Sequence, residues 1–431
     1  MDRRSFLNRS GIAIGATLVL PSLASQKSQH LTLDTWAGIR SQFRFAPDKI
    51  PMSQMLLASH PKWVNDAIEK HRNSFDENPV EYWEENWIKL EKRARESAAA
   101  YLKVDPEEIM LTDSTTMGLG LLYTGLRLNE GDEILTTTHD HYSTEKSLEY
   151  AALKNKASIR RIPLYTDPAN ASAGEMVDRM AKEIKANTRI IAVTWVHSCT
   201  GMKLPIRQLA DAIKKVNEKR TEAARIYFCV DGVHGFGIEN VTMEDLGCDF
   251  FAAGTHKWIF GPRGTGILWG KKDAWNMVVP TVPAFSEISY YMWLGAIPEA
   301  KINFSDLHSP GGFHSFEHRW ALNEAFDFHL RIGKDKIEQR THYLNTLLKE
   351  GLTEMKHVKL HTPVSTKLSA AINCFEVDGL KPEEVVKKLR AKNIIANTSP
   401  YKISYTRLTP CMINSEEEVK ACIDAVAGLR S

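Results

Sequence analysis

Between residues 132 and 231 short apolar runs alternate with helix-patterned segments, and this alternation restricts the fold more than any other feature. "DEILTTTH" (132–139) reads as a strand, "STEKSLEYAALKNK" (143–156) as a helix and "ASIRRIPL" (157–164) as a strand. A helix at 174–187 leads to the strand "RIIAVTWV" (189–196), an amphipathic helix at 206–220 and the strand "ARIYFCVD" (224–231). Strand, helix, strand with short connections demands right-handed crossovers and a mostly parallel sheet. The fold class is therefore α/β, with ligands expected beyond the carboxyl ends of the strands. Upstream, 59–72 and 81–102 read as helices. After residue 320 a long helical stretch (319–356) precedes strand-like "SAAINCFEVDG", a helix from Pro382 to Lys392, strand-like "YKISYTRLT" and a helix from Ser415. This divides the chain into a large domain, 26–320, and a smaller α/β domain, 321–431, with 26–75 expected to pack on the small domain.

Residues 1–25 stand outside the fold. "DRRSFLN" is followed by an uncharged stretch, Ser10–Leu20, and by "PSLAS", a small-residue cleavage pattern. That order is a secretory signal, and its paired arginines followed by Phe6 and Leu7 resemble the twin-arginine type, which implies Tat export machinery and a periplasmic location. Its apolar run is too short to span a membrane stably. The chain's net charge of +2 resides in this leader (Arg3, Arg4 and Arg9 against Asp2), so the remainder is formally neutral. No basic stripe points to nucleic acid and no later stretch to membrane insertion, so the expected partner is a small molecule. Six scattered cysteines without a C-x-x-C pair read as buried reduced thiols.

Four features fall at strand ends. "LTDSTTMGLGL" (111–121) sets Ser114, Thr115 and Thr116 at a helix start, where free N–H groups and the dipole favour an anion; plain N-capping explains the same residues. "HDHYS" (139–143) brings two histidines just past a strand. Asp231 ends an apolar strand, where a carboxylate is costly without a cation, and His234 follows. Finally, "AAGTHKWIFGPRGTGILWG" (252–270) places His256 and Lys257 on a turn between two buried segments, so this lysine must be paired, shifted in pKa or chemically used. One chemistry needs them all: a desolvated lysine forming a Schiff base with pyridoxal 5′-phosphate, an aspartate on the pyridinium nitrogen, a hydroxyl-rich helix start for the phosphate, and a flat side chain over the ring.

"VDGVHGFG" (230–237) followed by "GTHKWIFGPRGTGILW" (254–269) resembles the class V aminotransferase group of fold-type I pyridoxal phosphate enzymes, within it the isopenicillin N epimerase-like branch. The resemblance runs from about residue 45 to the C-terminus. It implies Lys257 as the Schiff-base lysine, Asp231 as the pyridinium partner, His234 near the phenolic oxygen and His256 near the phosphate. By the same match "DSTT" is the phosphate segment, His141 stacks on the ring, and Arg407, in "YTRLTPCMINSEEEV", clamps the substrate α-carboxylate. The chain departs from the pattern at Gly254, where many members carry a phosphate-binding serine, a role expected to pass to Thr255 or another group. It departs again at Ser198, where relatives often carry a ring-bonding asparagine. His314 and Ser315 fall where a neighbouring subunit commonly reaches the phosphate, and a homodimer is implied. An exported member is similar to pyridoxal phosphate enzymes that modify the pyoverdine side chain.

Aminotransferase-type chemistry on an amino acid or amino-acid-derived amine is the reaction expected, with an epimerase or lyase as the alternative. Desulfuration lacks a cysteine between Cys248 and Cys374. Epimerisation needs a base on the face opposite Lys257, and the sequence offers tyrosines (Tyr142, Tyr290, Tyr291) and histidines without choosing among them. Two other classes stay open. One is a metal-dependent hydrolase using His139, His141, Asp231, His234 and His256, although no metal site is expected. The other is a silent cofactor-binding protein. The loops 30–60 and 281–318 are expected to form the side-chain pocket; their aromatics (Trp36, Phe285, Tyr290, Tyr291, Trp293) read as its lining or as core and dimer-interface residues.

Overall fold

The computed structural model describes residues 33–298 and 304–429; the leader read at 1–25 lies outside them. Seven strands form the main sheet: Ile109–Thr112 (β1), Glu133–Thr137 (β2), Ser158–Ile162 (β3), Thr188–Thr194 (β4), Tyr227–Asp231 (β5), Phe250–Gly254 (β6) and Gly266–Gly270 (β7). Their spatial order is β1-β7-β6-β5-β4-β2-β3. Pairing is parallel from β6 to β3, and β7 runs antiparallel to both its neighbours. Six of these strands are buried at every residue, as helix-covered strands must be, which is why they are continuous apolar runs. The exception is β3, one of the two edge strands, whose Arg160 and Arg161 pair with Glu133, Glu183, Glu145 and Glu149. Charge on an exposed edge discourages pairing with other chains.

The covering helices include Lys62–Glu77 (α1), Pro79–Leu102 (α2), Thr115–Gly125 (α3), Tyr142–Asn155 (α4), Ala173–Glu183 (α5) and Ile206–Asn217 (α6). The helical stretch expected over 319–356 consists of three helices: Phe316–Trp320, Leu322–Ile332 (α7) and Lys334–Thr353 (α8). Gly333, at φ +102°, breaks the last two apart in a conformation that L-residues avoid. Among the described residues no helix is long and apolar enough to cross a membrane.

The C-terminal region builds a separate antiparallel sheet from Val358–Leu360 (β8), Asn373–Val377 (β9), Asn397–Thr398 (β10) and Thr406–Leu408 (β11), in the order β10-β11-β9-β8. Helices α8, Pro382–Ala391 (α9) and Glu416–Ala427 (α10) pack on it through Leu344, Leu348, Phe375, Leu389 and Val419. The strand expected over 401–409 shortens to β11, because residues 399–405 close into a loop. Ile50–Pro51 pairs in parallel with Ile394–Ile395, and Arg40 bridges to Glu418, tying the amino-terminal arm to this region. Of the cysteines, Cys199 is half-buried and the other five are buried.

Candidate active site

The carboxyl ends of β2, β4, β5 and β6 and the start of α3 all deliver side chains to one place. Lys257 lies three residues past β6, on the connection to β7. Burial draws its amine down to about 8; the charge of Asp231 opposes this and Arg407 adds to it. Its Nζ lies 3.4 Å from Nε2 of His234. A neutral amine is therefore within reach near neutral pH.

Asp231 ends β5 and is 2% exposed. Burial pushes its carboxyl up to about 6, while the Val233 N–H (3.2 Å) and the Lys257 charge pull it back. Thr144, in the first turn of α4, donates to Oδ2 at 3.4 Å. His234 follows on the loop, and burial first, then Lys257, holds it neutral. Its Nδ1 is buried without a partner, as is Oγ1 of Thr194, which pairs with Asp231 in register.

Ser114 caps α3 by accepting from the Met117 N–H, Thr115 is buried and Thr116 is exposed. The hydroxyl of Thr115 accepts from the Gly254 N–H at 2.7 Å, tying the helix start to the end of β6. A side chain at Gly254 would meet His256 Cε1 at 2.9 Å and Thr115 Oγ1 at 3.0 Å. The missing serine is thus explained, because the His256 imidazole takes its space. Burial brings that ring down to about 4, so it is neutral. Thr255 does not take the serine's place: it is fully buried and its hydroxyl pairs with that of Thr265.

His141 is the N-cap of α4, and its Nδ1 accepts from the Ser143 N–H at 3.4 Å, which leaves the ring proton on Nε2. Burial and Lys257 draw this ring down to about 4. His139 is structural instead: it stacks on Tyr165 with centroids 4.0 Å apart, and its Nε2 accepts from the Leu164 N–H. His139, His141, Asp231, His234 and His256 form no metal-binding group; among the described residues only Glu239, Glu338 and His342 bring donors within 4.8 Å of one another.

Arg407, central in β11, is 3% exposed and bonds only neutral oxygens: Asn397 Oδ1 (2.9 Å), Ser198 O (3.0 Å) and Thr398 O (2.7 Å). A buried guanidinium with no carboxylate partner is a ready anion site. Sequence reasoning passed over two residues here. Asp140 accepts from Thr136 Oγ1, Thr137 N, Thr137 Oγ1 and Thr194 N, which locks the loop carrying His141 to β4; the three threonines just ahead of it were the available signal. Tyr401 meets Ser198 Oγ at 2.7 Å, and nothing in "YKISY" announced it. Of the tyrosines considered as opposite-face bases, Tyr142 is exposed with its ring 4.7 Å from that of His141, Tyr290 is exposed, and Tyr291 sits beside Tyr290 on a short helix. Of the pocket aromatics, Phe285, Tyr290 and Trp293 are exposed, whereas Trp36 packs against the core with Arg340 over its ring. His314 bonds to Asp113 and Pro310 O, and Ser315 is exposed. A cavity of about 330 Å³ lined by Trp83, Trp87, Phe285 and Phe316 opens between α2 and this segment.

These donors fit pyridoxal 5′-phosphate. Among the described residues Nδ1 of His234 is buried without a partner, the α3 start offers N–H and hydroxyl groups to a phosphate, and the carboxylate of Asp231 has only long contacts. The chain is 24% identical over 410 residues to the isopenicillin N epimerase of Streptomyces clavuligerus, covering 91% of this chain and 98% of that one. It is 26% identical over 306 residues to a probable cysteine desulfurase of Halalkalibacterium halodurans, 70% of each chain. A solved C-DES mutant with glycine linked covalently to its pyridoxal phosphate superposes with a TM-score of 0.81, at 22% identity, over 91% of this chain and 99% of that one. The fold is that of the fold-type I pyridoxal phosphate enzymes, and pyridoxal 5′-phosphate is the cofactor. The aminotransferase class-V model matches residues 58–400, so the chain belongs to the class V aminotransferase family.

Proposed function

We propose that this protein performs aminotransferase-type chemistry at the α-carbon of an amino acid or amino-acid-derived amine, with Lys257 as cofactor anchor and proton carrier. When bound, pyridoxal 5′-phosphate supplies a ring that withdraws electrons from the bond to be broken. Asp231 holds the ring nitrogen, Ser114, Thr115, Thr116 and His256 receive the phosphate, and His141 covers the ring. His234 completes the cofactor contacts, while Arg407 receives the substrate carboxylate. Freed from the cofactor, the amine of Lys257 takes up and returns the α-proton, a task suited to a group poised near pH 8.

The observation that carries this reading is the setting of Lys257: an amine brought down to about 8 with one 3.4 Å contact, near a buried carboxylate and a guanidinium that bonds no carboxylate among the described residues. Epimerisation is the second reading, supported by a match spanning 98% of an isopenicillin N epimerase. A lyase acting as the cysteine desulfurases do has less support: Cys199 alone is not fully buried, and burial pushes its thiol up to about 11. A silent binder would not need a buried Arg407 that bonds no carboxylate among the described residues. Holo-protein incubated with a panel of amino donors, read by mass spectrometry, separates these outcomes. Keto acid supports transamination, inverted amino acid epimerisation and an eliminated fragment a lyase; no spectral change with any donor would leave a silent binder. The twin-arginine leader makes export to the periplasm part of this proposal, checked by cell fractionation. The exposed Phe285, Tyr290, Trp293 and Phe313 support a homodimer, checked by sedimentation.

A further inference from the structure

Residues 399–405 form a small loop whose neck is closed by three hydrogen bonds. The Ser399 N–H donates to Tyr405 O (2.9 Å), the Tyr405 N–H to Ser399 Oγ (2.9 Å) and the Ser404 hydroxyl to Ser399 O (2.8 Å). Lys402 and Ile403 at its tip are exposed, while Tyr401 turns inward. Its hydroxyl lies 2.7 Å from Oγ of Ser198, and its ring stands edge-on to His141, with centroids 6.1 Å apart at 73°. Arg407 is fastened to both sides of this arrangement, because it donates to the carbonyl of Ser198 and to that of Thr398, just before the loop.

Counting protons shows what remains. Of the five N–H groups of Arg407, three are assigned, to Asn397 Oδ1, Ser198 O and Thr398 O, which leaves two. The two hydroxyls of Ser198 and Tyr401 share one proton between them, which leaves a second O–H without an assigned acceptor. Three donors, one cluster and no anion among its described partners describe half of a binding site. We infer that the Ser198–Tyr401 hydroxyl pair is the second half of a carboxylate clamp begun by Arg407, so that Tyr401 selects substrates bearing a carboxylate over simple amines. Burial raises the phenol's pKa further, so the hydroxyl stays a donor across the physiological range. Serine at 198 has a purpose in this arrangement: its short side chain needs the phenol to extend its reach.

The inference rests on the carboxylate reading of Arg407 given above, and the experiment separates the two. Propanoate, a carboxylate without an amine, and propanamide, its neutral counterpart, are titrated calorimetrically into holo-protein. Tyr401→Phe is expected to weaken propanoate about tenfold or more, the scale of a hydrogen bond to a charged group, and to leave propanamide unchanged. Ser198→Ala should match it, and the double variant should lose no more than either alone, because the pair acts as one unit. Native propanoate affinity in Tyr401→Phe would overturn the inference. If Arg407→Gln then abolishes propanoate binding, only the role of Tyr401 falls; if Arg407→Gln also binds as the native protein does, the carboxylate reading falls with it. Should Tyr401→Phe fail to retain cofactor, Ser198→Ala decides by the same measurement.

Discussion

Lys257 and Lys349 invite comparison because burial brings both amines down to about 8, yet their surroundings have opposite characters. Lys349, on α8, is fully buried and donates to Pro363 O, Val364 O and Ser369 Oγ, so its three N–H bonds are all used. Those bonds hold the segment that pairs with the main domain through Ser369 and Met202. Lys257 is half-buried and has one 3.4 Å contact, to an imidazole. Lys334 sides with Lys349, bonding Tyr101 O and Val241 O over the Tyr101 ring. A depressed pKa therefore does not mark a working lysine. Unmet hydrogen-bonding capacity at a strand end is what sets Lys257 apart.

The comparison would break most visibly at Lys257. Lys257→Ala is expected to lower turnover by about 10²–10⁴-fold, the range for loss of a positioned acid–base group, and to abolish the borohydride-sensitive visible absorbance, with unfolding of the cofactor-free protein little changed. Lys349→Met should do the reverse. It strands three buried oxygens and costs about 2 kcal/mol of stability in urea titration, while turnover per folded molecule survives. Retained turnover in the first variant or an unaltered midpoint in the second would erase the distinction.

Two smaller effects sharpen it. Lys349 titrates near 8 when folded and 10.5 when unfolded, so the unfolded chain binds more protons between these values and stability rises from pH 8 to 10.5. That rise should be shallower in Lys349→Met, measured as urea midpoints across the interval. At Lys257 the charge of Asp231 raises the amine's pKa, so Asp231→Asn should shift the midpoint of amine acylation in cofactor-free protein below 8, followed by peptide mass spectrometry. An unmoved midpoint would mean that the two groups do not sense each other.

The parallel core was legible because strands covered on both faces must be continuous apolar runs; β2, β4 and β5 begin and end within a few residues of the sequence reading. Lys257, Asp231 and His234 were legible because polar groups interrupt those runs at their carboxyl ends. What stayed hidden depends on contacts distant in sequence. Nothing in "YKISYTRLT", with its alternating apolar residues, distinguishes a strand from the Ser399–Tyr405 loop, and the partner of Tyr401 lies 203 positions away. Similarly, the use of Gly254 depends on where His256 and Thr115 come to rest.

The pairing of Ile50–Pro51 with Ile394–Ile395 bears on the order of assembly. An emerging chain can stack its central parallel strands as they leave the ribosome, but this seam waits until nearly all of the polypeptide has been synthesised. Closing so large a loop is slow, and it makes completion of the C-terminal unit a late, whole-chain event. Removing the first fifty residues should therefore be felt first near the opposite terminus.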